Sequence, residues 1–195
     1  MLAMEKARRL ANEGFQVLFT CFNKYLALWV RDRFSQDPYT VNERIFVLHF
    51  RGLVREFCQR AGIDVSPVPH TTDTRALSAF FDEVLPQKLL EAVNKLPIRF
   101  DAIIADEGQD FAEMWWITLL DLLKDREHGI FYIFYDDNQH IYSREMILPF
   151  NELPYPLNLN CRNTDKIHEQ VLRFYQGDHK PKSRGPVGTI MALGM

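Results

Sequence analysis

Two stretches of the chain are apolar without alternation, Ala102-Ile-Ile-Ala105 and Ile130-Phe-Tyr-Ile-Phe-Tyr135, and both stop abruptly at acidic residues, Asp106-Glu107 and Asp136-Asp137. Strands buried on both faces read this way, as in a parallel sheet, whose ligand crevice lies at the strands' carboxyl ends. Phe15–Thr20 is predicted as another strand, Ile45–Phe50 as an element of β character, and Leu157–Leu159 as a short strand. Helical periodicity fills the intervals. Residues 2–13 carry a small-residue stripe of Ala3, Ala7, Leu10 and Ala11, with Gly14 as the stop. Leu26, Trp29 and Val30 mark a second helix that Asp37-Pro38 breaks, and Leu53, Val54, Phe57 and Cys58 a third that ends at Gly62. Over 73–96, Leu77, Phe80, Phe81, Val84 and Leu85 share a face, and Leu89, Leu90, Val93 and Leu96 continue it beyond Pro86. Because proline ends or kinks a helix, the spacing predicts two short helices forming a small subdomain or cap. Met114–Leu123 is a helix with Trp115 and Trp116, and a last helix runs to about Tyr175. Residues 177–186 read as an exposed loop, and Val187–Ala192 as the start of another strand.

Strands alternating with helices predict an α/β fold with a mainly parallel sheet covered on both faces. At 195 residues the chain has room for one good core and the start of a second domain. A net charge of −3 gives no global basic signature, so any nucleic-acid surface has to be local or aromatic. Cys21, Cys58 and Cys161 lack metal-type spacing and read as reduced thiols of a cytoplasmic protein. No apolar run approaches the roughly 18 residues of a membrane span, so no membrane partner is expected.

Polar clusters follow three of the predicted strands: Thr20–Lys24, Asp106–Asp110 and Asp136–Tyr142. A fourth, Asn160–Thr164, opens the last helix. Parallel strands end on the same side of a sheet, so a single crevice accounts for these clusters better than four accidents. Adjacent carboxylates at a strand tip suit nucleotide hydrolysis: Asp106 to hold Mg²⁺ and Glu107 to orient and deprotonate water.

The spacing then resembles a family. Asp106-Glu107-Gly-Gln109-Asp110 is similar to the second motif, the helicase form of Walker B, of the UvrD/Rep-like superfamily 1 DNA helicases. Asp136-Asp-Asn-Gln139-His-Ile141-Tyr142 resembles their third motif, with Tyr135 in place of the usual Gly and His140 in place of Ser. Leu157-Asn-Leu-Asn160-Cys-Arg162-Asn-Thr164 resembles the fourth, with Cys161 where Tyr is usual, and Thr20-Cys-Phe22-Asn23-Lys24 resembles the segment that touches single-stranded DNA. The four occur in the family's order across roughly residues 1–190, although 37–98 carries little that is diagnostic. The resemblance implies a RecA-like P-loop NTPase fold acting with ATP and Mg²⁺. It implies Asp106 as metal ligand, Glu107 as base, Gln139 as γ-phosphate sensor and Arg162 as the cation on the transferring phosphoryl group. In the same resemblance Gln109 and Asp136 are expected to join Asp106 at the nucleotide, with Gln109 coupling hydrolysis to movement. The resemblance also implies that Thr20, Phe22, Asn23, Lys24, His49 and Tyr142 face single-stranded DNA or a duplex junction, with the aromatic rings stacking on bases. Each has a plainer reading: Phe22 and Tyr142 as core, His49 as a structural histidine, Trp115 and Trp116 as helix packing, Arg162 as a salt-bridge partner.

The family's Gly-x-x-x-x-Gly-Lys-Thr loop has no counterpart in the sequence, and 2–11 looks like the helix that follows it. The expectation is therefore an internal piece of a helicase, truncated at the first strand and phosphate loop. Residues 1–156 then form an incomplete first RecA-like domain, with a helical insertion at about 66–98, and 157–195 the start of a second. Such a piece is expected to be inactive alone, to need the remainder of the helicase polypeptide, and to self-associate through an uncovered sheet edge. Two other readings stay open: a non-catalytic RecA-like binding module, and a Walker-type NTPase that does not act on DNA.

Overall fold

The computed structural model describes residues 2–65, 68–136, 147–150, 155, 159–160, 164–174 and 182–183. These residues fall into two compact units, one through Pro149 and one from Phe150 onward. The first unit is an α/β layer structure around four strands: β1 (Val17–Cys21), β2 (Ile45–His49), β3 (Ala102–Asp106) and β4 (Ile130–Ile133). All pairings are parallel and the spatial order is β2-β1-β3-β4.

That order fixes where the helices lie. From β1 the chain steps outward to β2, then crosses back over β1 to β3 and on to β4. Right-handed crossovers in opposite directions use opposite faces of a sheet. Helices α1 (Leu2–Asn12) and α2 (Lys24–Gln36) accordingly cover one face, over Val17, Phe19, Ala102 and Ile104. Helices α3 (Phe50–Ala61), α5 (Leu85–Lys95) and α6 (Glu113–Leu120) cover the other, over Leu18, Ile103 and Ala105. Strands β1 and β3 are buried along their whole length, which is why their sequences do not alternate.

Local chemistry sets the element ends. The α1 stripe is as predicted, with Ala3, Ala7, Leu10 and Ala11 buried. Asn23 starts α2, its side-chain oxygen accepting from the Tyr25 and Leu26 amides at 2.8 and 3.2 Å. That helix buries Ala27, Val30 and Phe34, leaving the predicted Leu26 and Trp29 on its flanks. Gly62, at φ 64°, ends α3 in the left-handed region that glycine adopts without a Cβ penalty.

Three expectations change. Phe50 is the first residue of α3 and not the last of a strand. Residues 74–95 hold two short helices as expected, but these do not stand apart as a cap. Helix α4 (Thr74–Ala79) runs through a π-helical turn (Phe80–Val84) into α5, whose Leu89, Ala92 and Val93 are fully buried in the main core. Proline cannot donate a backbone N–H, and the turn ahead of Pro86 widens so that the Leu85 amide reaches the Phe80 carbonyl. In the second unit, β5 (Leu159–Asn160) pairs in parallel with β6 (Lys182–Ser183), inside the stretch expected as loop. Helix α7 (Asp165–Leu172) follows β5, its Ile167 amide donating to Thr164 Oγ1. The expected strand at 187–192 lies outside the described residues. Among the described residues no helix is long and apolar enough to cross a membrane.

Ile104, at the centre of β3, is fully buried against the α1–α2 layer. Ile104→Ala is expected to lower unfolding free energy by about 2–5 kcal/mol, read from the midpoint of urea denaturation.

Candidate functional site

The reversal of direction between β1→β2 and β2→β3 makes the gap between the carboxyl ends of β1 and β3 a topological switch point, where open α/β sheets bind ligands. Asp106, the last residue of β3, is in register with Cys21, the last of β1. Burial pushes the Cys21 thiol up to about 12, and the neighbouring Asp106 charge adds to it. Cys21 is therefore a packed, inert thiol beside the acidic tip.

Glu107 follows with φ 57° and ψ 44°, the only non-glycine at positive φ among the described residues. Such a conformation costs on the order of 1–3 kcal/mol and persists where its surroundings over-determine it. Those surroundings are visible. The Gly108 amide donates to the Phe134 carbonyl at 2.9 Å, and the Phe134 amide to the Ala105 carbonyl at 2.8 Å. A Cβ at Gly108 would lie 2.5 Å from Ile133 Cγ2 and 3.3 Å from the Trp116 ring, so β4 and α6 close directly on this backbone. Gln109, 5% exposed, joins the two acidic clusters. Its Nε2 donates to Glu107 Oε2 at 2.7 Å, and its Oε1 accepts from the Asp136 amide at 3.1 Å. One buried amide thus fixes the Glu107 carboxylate to the end of β4.

The second part of the site lies at the ends of β1 and β2. Phe22, half buried, stacks on Trp115 with ring centroids 5.7 Å apart and 13° between planes. Lys24 and Asn23 are exposed, and the Asn23 oxygen is already engaged as the cap of α2. His49 ends β2 with its ring over Gly52, where a Cβ would come within 2.9 Å of Nε2. Burial, then repulsion from Arg55, Lys24 and Arg51, holds His49 below the usual histidine range. The Arg51 guanidinium also lies 3.6 Å from the Phe81 ring centroid and 6.0 Å from that of Phe22. A chain of net charge −3 therefore carries a local patch of three cations and two half-buried aromatic rings.

Thr20 does not belong to that surface. It lies between Leu48 and Ala105 in the middle of the sheet, with no solvent exposure, so the expected nucleic-acid contact is corrected to a core position. Trp115 and Trp116 are both 1% exposed and fill the core, in keeping with their plainer reading as helix packing. Gln139, Tyr142 and Arg162 lie outside the described residues. Sequence reasoning missed Arg51, Arg55 and Phe81. Arg51 and Arg55 stand four apart on the exposed side of α3, directly after His49, a spacing that marks a cationic helix face.

Among the described residues no group of three or more His, Cys, Asp and Glu is placed to hold a metal by itself. The Asp106 and Glu107 carboxylates are hard oxygen donors of the kind that Mg²⁺ and Ca²⁺ take. A scan against protein-family models and a search among curated proteins both find no match to the chain.

The closeness of Gly108 to β4 is directly testable. Gly108→Ala is expected to cost about 1–3 kcal/mol through forced displacement of Ile133, measured by chemical denaturation.

Proposed function

We propose that this chain is part of the motor of a UvrD/Rep-like superfamily 1 helicase, with a RecA-like first domain that couples ATP hydrolysis to movement on single-stranded DNA. The observation that carries the reading is the Gln109 bridge. The Glu107 carboxylate and the Asp136 backbone, which belong to two separate motifs of the resemblance, are held by the same buried side chain. In this reading Asp106 holds Mg²⁺ bound to the nucleotide, which supplies charge neutralisation on the phosphates when present. Glu107, held rigidly in a left-handed turn, orients and deprotonates the attacking water. Gln139 and Arg162 keep the roles that the resemblance implies. The face of Lys24, His49, Arg51 and Arg55 tracks the DNA backbone while Phe22 and Phe81 meet bases. This is the pairing of charge and stacking that single strands select. The patch lies beside the switch point, so one sheet edge serves both ligands.

A reading as a non-catalytic RecA-like binding module shares the cationic face. It gives no reason for a strained glutamate tied to a second acidic strand end.

Fluorescence anisotropy of a labelled oligothymidylate tests the DNA face on the chain itself. Binding is expected to weaken with salt. The log–log slope is expected to fall by about 0.7 for each phosphate that Arg51→Ala or Arg55→Ala leaves without its cation. The pH dependence has a definite sign. Phosphates laid on the three cations remove part of the repulsion that depresses His49, so its pKa rises on binding and the complex takes up a proton. Affinity is then expected to increase as pH falls through the region below about 6.5, and His49→Gln to flatten that dependence. Absence of binding, or binding indifferent to salt and to these substitutions, contradicts the DNA face.

A further inference from the structure

Trp115 touches both halves of the site through bonds the proposed chemistry does not require. Its indole stacks on Phe50 at 3.9 Å with 3° between planes and on Phe22 at 5.7 Å. The same indole meets Phe111 in an edge-to-face pair with centroids 5.3 Å apart, and Phe111 in turn stacks on Trp116 at 4.7 Å. Phe111 directly follows the 3-10 turn Gly108–Asp110, its amide donating to the Gly108 carbonyl at 3.1 Å. Trp116 closes over Gly108 itself. Contiguous ring contacts therefore run from the cationic face at Phe22 to the backbone of the acidic tip.

The indole N–H adds a third attachment. In a π turn the Phe81 carbonyl would accept from residue 86, but residue 86 is proline and has no N–H to give. Trp115 Nε1 donates to that carbonyl at 3.0 Å. The Phe81 ring is the one on which Arg51 rests. The same tryptophan thus anchors the backbone of Phe81, supports Phe22 and abuts the segment after Asp110.

We infer that Trp115 is a positioning residue that couples occupancy of the Phe22–Arg51–Phe81 face to the order of the Glu107–Phe111 tip. A polyanion drawn onto Arg51, or a base stacked on Phe22, loads the indole from two sides, and its contact with Phe111 carries the load to the turn. Packed networks of this kind change coupling when a single member is altered, even where that member touches neither ligand. The inference rests on the nucleic-acid reading of the cationic face and names the internal link that reading leaves open.

The test is hydrogen exchange by mass spectrometry on residues 107–111, with and without oligothymidylate, while anisotropy monitors binding separately. In the wild-type chain, bound oligonucleotide is expected to slow exchange at the Gly108, Asp110 and Phe111 amides. Trp115→Phe keeps a stacking ring but removes the N–H. It is expected to retain binding and lose the protection. Adding Pro86→Ala to that variant returns a backbone donor to the Phe81 carbonyl without rejoining Phe81 to residue 115, and protection is expected to stay lost. Binding without any change at 107–111 in the wild type overturns the coupling, and the wild-type arm decides this even if Trp115→Phe does not fold. Protection that survives in a folded Trp115→Phe, or that returns with Pro86→Ala, overturns the role of the indole N–H. No binding by anisotropy overturns the nucleic-acid reading first and the coupling with it.

Discussion

Everything in the first unit depends on β3 lying between β1 and β4 with both faces covered. A strand so placed has no room for a polar side chain until its end, and there the chemistry appears at once, as Asp106 and Glu107. Because β1 is its neighbour on one side, the turn that begins α2 stands next to the acidic tip. Because β4 is its neighbour on the other, Gln109 can bind Glu107 and the Asp136 amide together. Reordering the strands would leave the same residues in place along the chain and separate them in space.

Rigidity at the tip comes from backbone closure more than from side-chain bonds. Gly108 lies against Ile133 and Trp116 with no space for a methyl group, and its amide is fixed to the Phe134 carbonyl. This tight seat holds Glu107 in a conformation that glutamate rarely adopts. The cationic face is built differently. Its charges sit at the start of α2 and along the first turns of α3, supported underneath by the stack of Phe22, Trp115 and Phe50. The proposed DNA contact rests on this combination of hard packing below and exposed cations above.

Much of this is legible in the residue pattern. The unbroken apolar run at 102–105 announces a doubly covered strand, and the acidic residues after it announce the tip; the similar run at 130–135, expected to be buried as well, instead gives the shorter β4, Ile130–Ile133, which is only partly buried and leaves Tyr132 41% exposed. What the pattern does not carry is neighbour identity. Thr20 looks like a surface residue because it opens a polar cluster, yet β2 and β3 flank it and bury it completely. Pro86 reads as a break, although a widened turn and an indole from a residue far along the chain absorb its missing N–H. Arg51 and Arg55 escape notice while Phe50 is taken as the end of a strand, which hides the helix face they share. Each miss has the same origin: a local signal whose outcome is decided by a partner distant in sequence.

Glu107 as the base of a DNA-dependent hydrolase is the claim on which the rest turns. The most direct test is steady-state ATP hydrolysis, with and without single-stranded DNA, by a polypeptide that carries these residues behind a superfamily 1 phosphate-binding loop. A Glu107→Gln counterpart runs beside it. Hydrolysis is expected to be stimulated by DNA and lowered by about 10²-fold or more in the variant. Hydrolysis indifferent to DNA, or undiminished by the loss of the Glu107 carboxylate, would contradict the claim.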